Sequence, residues 1–125
     1  MLHAEGKLLS IDLSTRETET VGIESILESF MGGRGVATRL AHGRIPFDAD
    51  PFGRENRLYF STGPLQMSMM SFTGRMNATA LSPLTTGIAS TNAGGFMSRN
   101  FADTGFAAVE LTGLSDELVA VHVRD

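Results

Sequence analysis

The residues whose types and spacing suit chemistry are grouped around glycines: Gly32-Gly33-Arg34-Gly35, Thr73-Gly74-Arg75 and Asn92-Ala93-Gly94-Gly95, with a Gly63-Pro64 pair between the first two. Backbone N–H groups at a helix start attract anions through their unsatisfied donors and the helix dipole. An arginine beside such glycines adds a forked donor that matches phosphate. The stretch "STNAGGFMSRN", Ser90 to Asn100, sets a polar turn and a glycine pair directly ahead of a short amphipathic run. That pattern suits an ordinary helix start as well as an anion site. Each Gly-Arg pair alone also suits a turn carrying a surface arginine, whereas several in one short domain point toward one polyanionic ligand. None is a Walker loop or a G-x-G-x-x-G after a strand, so nucleotide-binding folds are excluded on pattern.

Side-chain catalysis finds little support. His3, His42 and His122 fall in the N-terminal tail, at a helix end and in a terminal strand, without HExxH-type spacing. Each reads as structural or solvated. No G-x-S-x-G elbow is present. The pairs Asp48/Asp50 and Glu17/Glu19 lie in loop or strand contexts that face solvent. With no cysteine, the chain itself offers no disulfide, thiolate zinc site or iron–sulfur cluster.

The 125 residues fit a single domain, 1–125, able to bury a core, and 42% hydrophobic against 19% charged residues reads as globular. A net charge of -4 without a basic stripe excludes a nucleic-acid footprint. No apolar run reaches membrane-spanning length and the N-terminus lacks a signal-peptide pattern, so the expectation is a cytoplasmic protein with no membrane contact.

The elements that must position the glycine clusters follow from periodicity. "GKLLSIDLSTRETETVGI" alternates around Ser14-Thr15-Arg16 and predicts a β-hairpin. "ESILESF" predicts a helix stopped by the glycines after it, and "GVATRLAHGRI" a second helix with Val36, Ala37, Leu40 and Ala41 on one face. "RLYFSTGPL" predicts a strand ending at Gly63-Pro64, and Thr73 to Leu81 another, closed by Ser82-Pro83. "IAST" predicts a brief strand, and "GGFMSRNFADTG" a helix of about two and a half turns with Phe96, Met97 and Phe101 inward. "FAAVELTG" and "ELVAVHVRD" predict a final strand pair around Leu114-Ser115-Asp116, the last running from Val119 to Val123. The fold class is α+β, mostly antiparallel β-sheet with a few short helices. Met67, Met69, Met70 and Phe72 are either core filling or an adaptable apolar patch.

Taken in order, "LLSIDLSTRET", "FMGGRGVATRL", "DPFGRENRLYFSTGPL", "TGRMNATALSPLT", "NAGGF" and "TGFAAVELTG" resemble the tungsten-dependent aldehyde:ferredoxin oxidoreductases over essentially the whole chain. The resemblance implies the N-terminal β-saddle domain on which a tungsten or molybdenum bis-pterin cofactor sits. It implies that Arg75 contacts the cofactor and that the Asn92 main-chain carbonyl meets a magnesium ion bridging the two pterin phosphates. Gly94 and Gly95 would lie against the cofactor, and Arg34 would contact it or order the loop beneath. The family's second pterin contacts, 4Fe-4S cysteines and catalytic acid–base residues belong further along the chain, so no catalytic residue and no cluster are expected here. Two departures stand out: Thr86 where many relatives carry glycine, and Ala107 where an aspartate is common. Both bear on fine cofactor geometry.

The implied function is the cofactor-binding portion of an enzyme that oxidises aldehydes with ferredoxin as electron acceptor. The isolated chain is expected to be inactive, a fragment or truncated product whose partners are the missing C-terminal domains or another chain. The alternative is a non-catalytic interaction subunit, or a module that forms a homo-oligomer.

Overall fold

The computed structural model describes residues 6–123 except 67 and 69. His3, Met67, Met69 and the final Arg124-Asp125 therefore lie outside the described residues. Strands β1 (Lys7–Asp12) and β2 (Thr18–Gly22) form the expected hairpin. Its turn is shaped by Asp12, whose Oδ1 accepts from the N–H groups of Ser14 at 2.7 Å and Thr15 at 3.3 Å. That local bond offers the backbone an alternative to the ladder and bends it.

Helices α1 (Glu24–Phe30) and α2 (Gly33–Arg44) follow. Met31, at φ 59°, ends α1 in the left-handed region, and its N–H donates to Leu27 O at 2.8 Å. The glycines that were expected to stop α1 therefore serve the next element, with Gly32 as N-cap and Gly33 opening α2. Helix α2 buries Val36, Ala37, Leu40 and Ala41, the stripe that the 3.6-residue period predicts. It ends before Pro46, which cannot continue a helix.

Strands β3 (Leu58–Thr62), β4 (Arg75–Leu81) and β5 (Ile88–Gly94), helix α3 (Phe96–Asp103) and strand β6 (Ala108–Thr112) complete the elements among the described residues. The sheet has six strands in the order β2-β1-β6-β3-β4-β5, with β1/β6 parallel and the other pairs antiparallel. The core lies between α2 and one sheet face, where Leu8, Tyr59 and Ala108 meet Val36, Ala37 and Leu40.

The final strand pair does not form: among the described residues, 114–123 enter no ladder. The reason is topological. Strand β6 pairs with β1 on one side and β3 on the other, so β6 has no free edge with which a following strand could pair. The segment is instead tethered to the first turn by the Arg16–Glu117 ion pair and by Ser14 Oγ, which accepts from Leu114 N at 2.9 Å.

Helix α3 is also turned from its expected orientation. Phe96 is 87% and Met97 61% exposed, while Ser98 and Ala102 face inward at 1% each. Small residues four apart bring α3 close to the sheet end, which the apolar side chains would have prevented. An ideal Cβ on Gly74 would sit 3.7 Å from Ser98 Oγ.

Candidate functional site

Strands β4 and β5 bring three of the expected site residues to one end of the sheet. Arg75, the first residue of β4, is in register with Gly94, the last of β5, and Asn77 with Asn92. Side-chain alternation puts Arg75, Asn77, Asn92 and Gly94 in the rows that Tyr59 and Ser61 occupy, on the face that α2 covers further along. Arg75 and Asn92 are exposed, and the Arg75 guanidinium has no partner among the described residues.

The Asn92 side chain is already engaged. Asn77, 3% exposed, donates from Nδ2 to Asn92 Oδ1 at 3.1 Å, to Thr91 O at 2.9 Å and to Ser90 Oγ at 2.7 Å. Thr79 Oγ1 in turn donates to Asn77 Oδ1 at 2.7 Å. This buried polar row stiffens the β4–β5 hairpin. No cluster of three His, Asp or Glu suited to a metal occurs among the described residues.

Of Gly94 and Gly95, only the second is a glycine that the backbone demands. Gly95, at φ 97°, turns the chain from β5 into α3 through a conformation that other residues rarely adopt. An ideal Cβ on Gly94 would approach only Gly74 O, at an ordinary 3.6 Å, so neither its φ nor the chain's packing demands a glycine there. A bare backbone strip beside Arg75 fits a group that lies flat against the strand end.

Both helix starts at this end lack a side-chain cap among the described residues: α2 begins after Gly32 and α3 after Gly95. Their first N–H groups are donors without an intrahelical partner. Arg34, exposed in the first turn of α2, sits on a different element from Arg75, and no hydrogen bond joins the two among the described residues. The loop between β3 and β4 links their surroundings. An ideal Cβ on Gly32 would fall 3.0 Å from Thr62 O and 3.1 Å from Pro64 Cδ, so this pair of loops packs backbone to backbone. Ser61 Oγ fastens the contact by donating to Gly33 O at 2.8 Å.

Of the two departures, Thr86 sits elsewhere, whereas Ala107 lies at this end of the sheet, its carbonyl accepting from Thr62 N at 3.4 Å. Thr86 occupies the left-handed region at φ 55° in the β4–β5 turn, at the opposite end of the hairpin from Arg75 and Gly94. Its direct consequence there is local backbone strain. Ala107 is 1% exposed in the core. Of the histidines, His42 and His122 are exposed, as are Asp48, Asp50, Glu17 and Glu19.

One buried ionisable group escaped the sequence reading. Glu110 is 1% exposed in the central strand β6, and its carboxylate accepts from Ser10 Oγ at 2.6 Å and Tyr59 OH at 2.5 Å. Arg44 at 3.2 Å and Arg57 at 3.1 Å complete the cluster. Burial is the largest influence and opposes ionisation, but the two hydroxyl bonds and then the Arg57 and Arg44 charges outweigh it, holding the carboxyl below its usual range. Burial, followed by the bond to Glu110 and its charge, raises the Tyr59 phenol. A lone glutamate within the apolar run "FAAVELT" was the available signal. The cluster ties the last turn of α2 to the sheet, away from the Arg75 end.

These features define a β-rich α+β domain that presents an arginine, bare glycine backbone and two uncapped helix starts at one sheet end. Residues 8–125 match the family described as aldehyde ferredoxin oxidoreductase, N-terminal domain. The chain is 33% identical over 122 residues to the tungsten-containing aldehyde ferredoxin oxidoreductase of Thermococcus kodakarensis, covering 96% of this chain and 20% of that protein. It is 39% identical over 69 residues to the WOR-like subunit of an aliphatic sulfonate oxidoreductase of Pyrococcus furiosus, covering 52% of this chain and 11% of that one. Among solved structures it resembles the active site complex BamBC of benzoyl coenzyme A reductase bound to 1,5-dienoyl-CoA, with a TM-score of 0.86, 29% identity, and coverage of 90% of this chain and 18% of that one.

The chain belongs to the aldehyde ferredoxin oxidoreductase family, in its N-terminal domain. It spans about a fifth of the length of the aldehyde ferredoxin oxidoreductases it matches, at 20% of each. No helix among the described residues is long and apolar enough to cross a membrane.

Proposed function

We propose that this chain is the cofactor-binding N-terminal portion of a tungsten or molybdenum bis-pterin oxidoreductase acting on aldehydes in the cytoplasm, with ferredoxin as electron acceptor. The observation that carries the reading is Gly94 facing Arg75 across the hairpin end, a glycine that the chain's own packing does not require. Arg75 would neutralise phosphate charge, and Gly94 and Gly95 would admit the pterin against bare backbone. Asn92, its side-chain oxygen engaged by Asn77, would offer its main-chain carbonyl to a magnesium ion bridging the phosphates. Arg34 would add positive charge from the first turn of α2. When bound, the metallopterin supplies two-electron redox chemistry.

The chain's residues bind and orient; none is assigned to proton transfer, and a 4Fe-4S cluster would be held by cysteines of further polypeptide. Such polypeptide has a surface to cover, because Phe30, Met31, Leu65, Met70, Phe72, Phe96 and Met97 are exposed on the elements and loops that converge on this end. Co-expression with the part of the Thermococcus relative beyond this match should yield a complex that retains tungsten and pterin, and Arg75→Ala should lower that retention at least tenfold. Unchanged retention in Arg75→Ala would sink the site assignment.

A second reading, an interaction module that assembles without cofactor, rests on the same exposed apolar residues. A stable homodimer in light scattering, with no pterin retained by the complex, would favour it.

A further inference from the structure

The turn that carries Arg75 does not hold itself. Thr73-Gly74-Arg75 is a tight bend in which Arg75 N donates to Thr73 O at 2.8 Å, and it includes a glycine, the residue least able to fix a backbone. The second support comes from Gln66, in the loop after β3. Its side-chain Nε2 donates to Arg75 O at 2.8 Å and also to Thr73 O, spanning the bend from carbonyl to carbonyl. Gln66 is 5% exposed, and its own N–H donates to Gly63 O at 3.3 Å, which anchors it beside the contact between Gly32 and Pro64.

The two protons of one carboxamide are thus spent on the backbone that aims Arg75. The loop supplying that carboxamide is also the one packed against the start of α2, which carries Arg34. Among polar side chains a glutamine meets this geometry well, since it offers two donors on one nitrogen without a charge to desolvate.

We propose that Gln66 is a positioning residue for the anion site: it fixes the direction in which the Arg75 guanidinium leaves the sheet, and couples it to the loop beneath Arg34. The inference rests on the anion reading of the Arg75 end, and it concerns how that end is preorganised. Gln66→Glu keeps the shape but turns a donor pair toward acceptors, and Gln66→Leu removes both donors with similar volume.

The test has two arms on the chain itself. In the ligand-free protein, either variant should shift the carbonyl ¹³C resonances of Thr73 and Arg75 and speed exchange of the Arg75 amide at least tenfold, while far-UV circular dichroism keeps the native profile. In titrations with magnesium pyrophosphate, Gln66→Leu should weaken binding about tenfold in the wild-type background and hardly at all in the Arg75→Ala background. A purely structural role would weaken both backgrounds alike.

Unchanged carbonyl shifts and exchange in both variants would overturn the proposal, whatever happens with the ligand. Equal loss in the two backgrounds would overturn it as well. A wild-type chain indifferent to magnesium pyrophosphate would count against the anion reading, whereas the ligand-free arm would still decide whether Gln66 holds the Arg75 turn.

Discussion

Glu110→Gln isolates the charge of the buried cluster while keeping its shape. In the wild type, the hydroxyls of Ser10 and Tyr59 donate to a carboxylate, and such charge-assisted bonds are roughly twice as strong as neutral ones. Losing that assistance costs about 0.5–1 kcal/mol per bond. Arg44 and Arg57 keep side-chain exposures of 30% and 29%, so their ion pairs are screened and contribute about 0.5 kcal/mol each. The expected loss is about 2–3 kcal/mol at pH 7, or about 8–12 °C in Tm for a domain of this size. Equilibrium urea unfolding measures it directly.

The pH dependence supplies the sharper control. A carboxyl held below its unfolded value contributes stability that is fully present above that value, about 4.3, and is lost as pH falls through the folded value. The gap between wild type and Glu110→Gln should therefore be constant from pH 6 to 7.5 and shrink progressively below about pH 4. A gap under about 0.5 kcal/mol at neutral pH, or one that persists undiminished in acid, would refute the claim that ionised Glu110 ties α2 to the sheet.

Thr86→Gly should stabilise the chain by about 1 kcal/mol, because a β-branched residue at φ 55° carries strain that glycine does not; a lower Tm would show the turn to be relaxed. The orientation of α3 is tested by a pair of changes. Phe96→Ser, at an 87% exposed position, should alter Tm by no more than a degree or two, whereas Ala102→Leu, at 1% exposure, should cost about 1–3 kcal/mol by overpacking. The reverse order would put the apolar face of α3 inward after all.

Much of the fold was legible because local pattern and tertiary demand agree in it. The alternation of β1 and β2 around an Asx-turn, and the stripe Val36, Ala37, Leu40, Ala41, follow from sequence period alone. The misjudged elements are those where a distant partner decides. "LVAVHV" has strand character, but the edge it needed belongs to β1 and β3, and pairing of strands remote in sequence is invisible to periodicity. In α3 the large apolar residues suggested an inward face, yet close approach to Gly74 favours Ser98 and Ala102.

The candidate site divides the same way. Gly-Arg and Asn-Ala-Gly-Gly spacing marked Arg75, Asn92, Gly94 and Gly95, and the β4–β5 register explains their proximity. Arg34 belongs to a helix start that reaches this end only through loop packing. Gln66 carried no signal at all, since a glutamine between Leu65 and Met67 shows neither burial nor its reach across to Arg75 until the loops are in place.

The proposed function stands or falls with whether the Arg75 end of the sheet receives a magnesium-bridged phosphate group. The most direct measurement is a ¹H–¹⁵N titration of the chain with magnesium pyrophosphate, with an Arg75→Ala sample in parallel. Saturable shifts should concentrate at the amides of Gly33 to Gly35, Gly74, Arg75 and Asn92 to Met97, with an affinity that Arg75→Ala lowers at least tenfold. Shifts centred on any other surface, or a response that Arg75→Ala leaves intact, would contradict it.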